Sequence, residues 1–517
     1  MNHKSFFCAV IIFSFVFGGW AQKNKKEKKD TDTVAYYWEN IIIPDTVKMI
    51  LNTVNVTFPK GKIKSELYVN FCEKVLNHLE NNGFPFAQIY MEDLTLDDKY
   101  INGRLQIDKN QKIVFDSIVI HGNANIAVSF LRSYLGFKKK KNYSESKIQN
   151  IPRLLEELPY IKQFQESSVV FEEDKAHLYL YADKRKTNQF DGFLALVPVD
   201  EITGKIALAG ELNLKLQNVF KIAETLDMKW KAPGSKSQNL RLNLIFPYLF
   251  KTPLGVEGLF YLDKRDTTYL NMNYRVGLLF SFLGNNYIKA VYNYATSNVL
   301  VKDVKQVLSK MQISDYKTSS YGIDFAFRKL DFLFNPKKGY DLRISTDVGV
   351  RQIVKNNQVE NSYYDTLQMK TMRYRLAGHV AGYLPISKHF VIHGFLDGAT
   401  MFGGQNFLNE LYRIGGMKSL RGFDEESISA SSYTIANVEF RFIFSKFSYI
   451  TAFFNAAWYE KNLKHDYFKD FPYGFGLGIA FDTPAGIFGL SYALGSQQGN
   501  PLSFKSGKIH LGMNLLF

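Results

Sequence analysis

From Phe190 onward, apolar residues return at every second position in segment after segment. Leu240, Leu242, Leu244 and Phe246 alternate with Arg241, Asn243 and Ile245. Leu342, Ile344 and Val348 alternate with Asp341, Arg343, Ser345 and Asp347, and Tyr374, Leu376 and Val380 with Arg373, Arg375 and His379. A period of two sends alternate side chains to opposite faces of a strand. About sixteen such segments follow one another, the pattern of a transmembrane β-barrel. A soluble sandwich also alternates, but its polar face looks at solvent and its apolar face at another sheet. Two features favour the membrane barrel. Short turns (PYLFKTP, FLGNN, FNPKKG, LPISKH, FSKF, DTPAG) alternate with longer polar loops, and the last segment closes on an aromatic residue, Phe517. With both barrel ends on the side of the upstream region, the strand count is even.

Upstream the period is helical. Val54 and Val56 predict a strand, and Leu67, Phe71, Val75 and Leu79 predict a helix stopped at Asn82-Gly83. Short strands are expected around Phe86–Tyr90 and Arg104–Ile107. A second round is better defined: a strand at Ile113–Ile120, a helix at Ile126–Leu135 ended by Gly136, and a helix after Ser144 with Ile148, Ile151, Leu155 and Leu158 inward. Strands at Ser168–Phe171 and His177–Tyr181 complete it. The run Lys138–Lys141 reads as a solvated loop between the two helices. The expected organisation is a tether over 22–47, a first α/β unit over 48–112, a second over 113–186, and a barrel over 187–517 whose sixth long loop is 403–433.

Residues 1–21 have the form of a secretory signal: Lys4, an apolar run from Phe6 to Phe17, then small residues at Gly19 and Ala21. Gln22–Thr33 is too charged to pack. Cys8 falls in the signal, leaving Cys72 alone in the mature chain, so no internal disulfide framework is expected. No later run is long and apolar enough for a membrane helix, so crossing a bilayer requires a closed barrel. The net charge of +15 is spread over alternating strands rather than gathered in a patch, which argues against nucleic acid. The His residues show no metal-ligand spacing, and neither a nucleophile elbow nor a phosphate loop occurs. The expectation is a non-enzyme without metal or cofactor.

Candidate chemistry gathers in Leu411–Phe444. This stretch opens on Gly415-Gly416, carries Arg421-Gly422-Phe423, then enters a strand with Val438, Phe440 and Phe442 on one face and Asn437, Glu439 and Arg441 on the other. An arginine carried into a barrel lumen needs a carboxylate for its fork of donors. By alternation Asp482 and Glu439 both point inward. Gly474, Gly476 and Gly478 form a ladder on the face of Asp482, leaving room for another element against the wall.

The order strand, helix, helix, strand, strand resembles the POTRA domain of outer-membrane assembly proteins. GGMKSLRGF, at Gly415–Phe423, resembles the sixth-loop motif of the BamA/TamA assembly factors, the bacterial surface antigen family. The resemblance implies a loop folded back into the lumen, with Arg421 paired to an acidic residue near strands thirteen and fourteen. There ITAFFNAAWYE offers Asn455 instead, so Asp482 is the first expected partner and Glu439 the second. The final strand is similar to the family's C-terminal signal, through His510, Gly512, Leu515 and Phe517. The resemblance further implies an outer-membrane barrel with periplasmic POTRA units that assembles or inserts outer-membrane proteins. Its partners would be membrane lipid, unfolded client polypeptides, and periplasmic lipoproteins or chaperones. The alternative within the same resemblance is a two-partner-type secretion pore.

Overall fold

The computed structural model describes residues 37–515, apart from 60, 201–204, 233–236, 251, 283, 302–311, 333–334, 358–360, 366, 418 and 484–485. The signal segment, most of the tether and Phe517 lie outside the described residues. The chain divides at Lys112 into two units.

The first unit runs β1 (Tyr37–Ile42), α1 (Asp45–Val54), β2 (Ile63–Lys64), α2 (Ser65–Asn81), β3 (Gln88–Asp97) and β4 (Tyr100–Asp108). Its sheet has the order β2-β1-β4-β3, with β1 parallel to β4. The strand expected at Val54 and Val56 is instead the last turn of α1 and the coil after it. Val47, Leu51 and Val54 are spaced for one helix face and are all buried, and Asn55, at φ +58°, ends the helix. The first strand of this unit lies in what reads as tether, where the alternation in YWENII is too short to stand out. Helix α2 buries Phe71, Val75 and Leu79 beside Leu105 of β4.

The second unit opens with β5 (Val114–His121), α3 (Val128–Tyr134), α4 (Glu145–Glu156), β6 (Ile161–Glu172) and β7 (Lys175–Lys184), in sheet order β5-β7-β6 with β5 parallel to β7. Phe115, Leu131, Ile151, Leu154 and Leu178 form its core, and that core does not stop at residue 186. Ala223 and Tyr248, from two barrel turns, belong to the same buried cluster. Backbone and side chains close the junction. Gly284 N donates to Tyr134 O (3.1 Å), Tyr248 Oη to Gly284 O (2.9 Å), and Asn218 Nδ2 to Asn125 O (2.7 Å). A Cβ at Gly284 (φ +66°) would come 2.8 Å from Leu154 Cδ2, so glycine is what lets this turn reach α4. Burial at the junction pushes the Glu157 carboxyl above the usual carboxylate range, with Arg153 opposing.

The rest is one closed antiparallel barrel. Among the described residues it has seventeen strand segments. Tyr467–Asp470 and Tyr473–Thr483 both pair with Tyr449–Asn462, so they form one interrupted strand and the wall has sixteen. The strands used below are the first (Gln189–Asp200), eleventh (Phe390–Phe402), twelfth (Ser432–Ile443), thirteenth (Tyr449–Asn462), fourteenth (Tyr467–Thr483 with its interruption), fifteenth (Gly486–Ser496) and sixteenth (Lys508–Leu515). The last strand lies beside the first and closes the ring.

Burial is inverted relative to a soluble sheet. On the twelfth strand Glu439 is 4% exposed while its neighbour Phe440 is 57% exposed. Asn437 and Arg441 are buried with Glu439, and Val438 and Phe442 are exposed with Phe440. Apolar side chains outside and charged ones inside define a wall that faces lipid. Lumenal charges are paired across strands: Arg275 bridges Asp324 (2.7 Å) and Asp347 (3.1 Å), and Lys289 holds Asp324 (2.9 Å) and Glu257. No helix among the described residues is long and apolar enough to cross a membrane; the strands make the crossing.

Candidate functional site

Between the eleventh and twelfth strands the chain turns back into the lumen as a finger. Tyr412–Ile414 and Ile428–Ala430 pair as its two short strands. Ile414, Leu420, Phe423 and Ile428 form its apolar core together with Ile435, Ala457 and Tyr459 of the wall. Gly415 and Gly416 turn the tip at φ +115° and +99°. Gly415 N donates to Ser419 Oγ (3.0 Å), and Gly416 N to Leu420 O (3.1 Å).

Arg421 lies against the wall across two neighbouring rows of the sheet. One row is Asn437, Asn455, Gly474 and Gly495; the next is Glu439, Phe453, Gly476 and Ala493. Its Nη2 donates to Glu439 Oε1 (2.5 Å) and Asn437 Oδ1 (3.0 Å), and its guanidinium carbon sits 3.6 Å above the Phe453 ring centroid. Glu439 serves other cations as well. Arg441 Nη2 is 2.6 Å and His393 Nδ1 3.3 Å from Oε2, so each carboxylate oxygen has a charged or polar partner. A desolvated carboxylate held this way is a strong anchor for a planar cation.

Asn455 does not meet the guanidinium; its Nδ2 donates to the Arg421 carbonyl (3.0 Å). An amide suffices there, because the atom it serves is neutral. Asp482, the first expected partner, is not at the site. It is exposed, its backbone N donates to Ser448 Oγ, and it pairs with Ile487 beside the turn into the fifteenth strand. Alternation assigns a face and leaves height undetermined. Eight residues along the strand separate Asp482 from Gly474, about 27 Å at strand rise.

Of the glycine ladder, Gly474 faces the finger, since a Cβ there would run into the Arg421 carbonyl. The space at Gly476 is taken by the Tyr492 carbonyl and the Phe453 ring, and that at Gly478 by Ser491 and Thr451. Gly422, at φ +97°, lies flat on the fifteenth strand, where a Cβ would come 2.9 Å from the Leu494 carbonyl. Phe423 packs over Gly495. On the sixteenth strand His510 and Gly512 are on the lumen side, in register with Ser491 and Gly489, and Leu515 pairs with Gly486.

The root of the finger has a second anchor that sequence reasoning missed. Arg351 and Arg373, inward on the ninth and tenth strands (Gly339–Ile353 and Lys370–Pro385), converge on Glu410 at 2.8 and 3.5 Å, all three almost fully buried. Arg373 also donates to Gly403 O (2.6 Å) and Asn406 Oδ1 (2.7 Å). Asn409 Nδ2 donates to Ser297 Oγ (2.6 Å) and Ser314 O (2.8 Å). Alternation alone marks the two arginines as lumenal, but a loop has no period to reveal Glu410. Across the lumen Arg413 donates to Tyr269 Oη (2.8 Å), and Arg265 pairs with Glu426. Among the described residues no cluster of His, Cys, Asp or Glu is arranged to hold a metal.

A sixteen-strand lipid-facing barrel, with small α/β units ahead of it in the chain and an arginine-bearing finger folded into its lumen, defines a transmembrane β-barrel protein. Residues 218–514 match the Omp85 superfamily domain, and the chain belongs to that superfamily. No match was found among curated proteins. Solved structures similar in fold include CdiB from Acinetobacter baumannii (14% identity, TM-score 0.54, 99% of this chain and 97% of that one). CdiB from Escherichia coli is similar at 12% identity (TM-score 0.54, 96% and 93%). BamA from Haemophilus ducreyi lacking POTRA domains 1–3 aligns at 17% identity over 93% of this chain and 99% of that one, with TM-score 0.44.

Proposed function

We propose that this protein resides in the outer membrane and assembles or inserts client barrel proteins there. In this reading the short-turn end and the N-terminal units, which we read as POTRA domains, face the periplasm. The working element is the seam between the first and sixteenth strands. A strand edge freed there offers unpaired backbone donors and acceptors, on which an unfolded client can add strand by strand. The POTRA units would hold the client on their own sheet edges in the same way, with or without periplasmic lipoproteins or chaperones. Such an action makes and breaks backbone hydrogen bonds and needs no covalent step or cofactor. The observation that carries the reading is the occupied lumen. With the finger pinned at Arg421–Glu439, a client's direct route runs beside the wall rather than through it.

A second reading is a two-partner-type pore that passes one unfolded polypeptide. The likeness in fold to the two CdiB structures, each at TM-score 0.54 over nearly the whole chain, favours it. Depletion followed by profiling of outer-membrane proteins separates the two. Assembly predicts that many barrel proteins fall together, and that a disulfide locking the first strand to the sixteenth stops the activity until it is reduced. An unchanged profile with loss of a single exported protein would replace the first reading with the second.

A further inference from the structure

The finger touches the closing strand itself, at two points that the arginine anchor does not explain. Met417, at its tip, lies against the inner face of the last two strands. A Cβ built on Gly512 would come 3.3 Å from the Met417 methyl carbon and 3.5 Å from its sulfur, and one built on Gly489 would come 3.6 Å from the same methyl. Gly489 and Gly512 are direct register partners, so the two missing side chains make one notch across the fifteenth and sixteenth strands. The second point is Asp424, whose carboxylate is 2.8 Å from Lys508 Nζ at the start of the sixteenth strand.

The tip is built to deliver that one side chain. Met417 N donates to Glu425 Oε1 (2.8 Å), and Gly416, at φ +99°, lies against the same Glu425 carboxyl, which a Cβ there would push aside. A thioether is flexible and apolar, suited to a shallow gap in an otherwise polar lumen. The notch exists only while the sixteenth strand is paired in register with the fifteenth and held in the wall.

We propose that Met417 is a positioning residue that seats the finger on the closing strand, so that lumen plugging and seam closure are one coupled event. When the sixteenth strand swings out of the wall the notch distorts, and the finger loses its seat at the strand that moves. Conversely, a seated finger resists that movement. This rests on the seam reading above and adds what controls the seam.

The test uses the full-length protein in proteoliposomes, with heat-modifiability to report assembly and trypsin cleavage after Arg421 to report release of the finger. The Arg421 side chain is only 13% exposed in the docked state. Gly489→Val or Gly512→Val fills the notch and should speed cleavage about tenfold or more. Met417→Ala should speed it by a few fold, while Met417→Leu, which conserves volume, should leave it unchanged. In the Met417→Ala background either valine should add nothing further, because the side chain it would displace is gone. A disulfide locking the first strand to the sixteenth should slow cleavage in the wild type, which a purely local packing role would not produce. Gly512 belongs to the terminal recognition strand, so Gly489→Val and Met417→Ala carry the test should Gly512→Val fail to assemble. Cleavage unaffected by the valines, fully additive effects, or indifference to the seam lock overturns the proposal. Those outcomes alongside a depleted outer-membrane profile would leave the assembly reading standing. The expected cleavage pattern with an unchanged profile would instead leave the seating in place and remove its assigned use.

Discussion

Replacing Arg421 with alanine is the most direct test of the lumenal anchor. The substitution removes the charged hydrogen bond to Glu439, the bond to Asn437 and the guanidinium stacked on Phe453. A hydrogen bond to a charged partner contributes about 1.5–3 kcal/mol and a cation–π contact about 0.5–2 kcal/mol from exposed to desolvated sites. Glu439 is not left bare, since Arg441 and His393 remain on it. The larger penalty for orphaning a buried charge therefore does not apply. We expect docking of the finger to weaken by about 2–4 kcal/mol, a shift of about 30- to 900-fold in the ratio of docked to undocked finger. Planar-bilayer conductance reads this directly: a plugged barrel is nearly silent, and Arg421→Ala should show frequent open events. Glu439→Gln should be worse, because it leaves Arg421 and Arg441 without their shared counter-charge. That orphaning costs about 3–5 kcal/mol. Asp482→Asn should behave as wild type. A silent Arg421→Ala barrel, or an open Asp482→Asn barrel, would refute the assigned pairing.

At the root of the finger, Glu410→Gln leaves Arg351 and Arg373 buried without a carboxylate, a loss of about 3–5 kcal/mol. Hydrogen exchange over residues 403–411 should accelerate, and unchanged protection there would show that the backbone acceptors alone hold the root. At the junction of α4 with the barrel turns, the folded state binds the Glu157 proton more tightly than the unfolded chain does. Its contribution is therefore most favourable below the ordinary Glu pKa of about 4.3, and declines as pH rises through the higher folded value. The melting temperature of the detergent-solubilised protein should fall from about pH 4.3 toward neutrality on this account, and Glu157→Gln should flatten the slope; an equal slope in the variant would assign the pH dependence elsewhere.

Much of the barrel was legible because a period of two is a local property. Each residue of the twelfth strand reveals its face through its two neighbours, and Glu439 and Phe440 separate cleanly on that basis. Height is not local. Which inward residues share a level depends on the register of strands far apart in the chain, so Asp482 and Glu439 look equivalent in the sequence and end at different levels. The same limit hid Glu410, which meets arginines from two adjacent strands only because the root of the finger lies over both of them. In the first α/β unit the error was one of period. Val54 and Val56 alternate over three residues, while the helical set Val47, Leu51 and Val54 becomes visible only when the window is widened back to Asp45.

The continuity between the second α/β unit and the barrel turns bears on how this molecule can be handled and how it came to be. A fragment ending near residue 186 would carry Phe130, Tyr134 and Leu154 to water without Tyr248 and Ala223 to cover them, and would tend to aggregate. A barrel cut at the same point would leave Tyr248 and Gly284 reaching toward an absent neighbour. Exchange of this unit for another by recombination would have to bring its matching turns along, so the two parts are best regarded as a single inheritable piece.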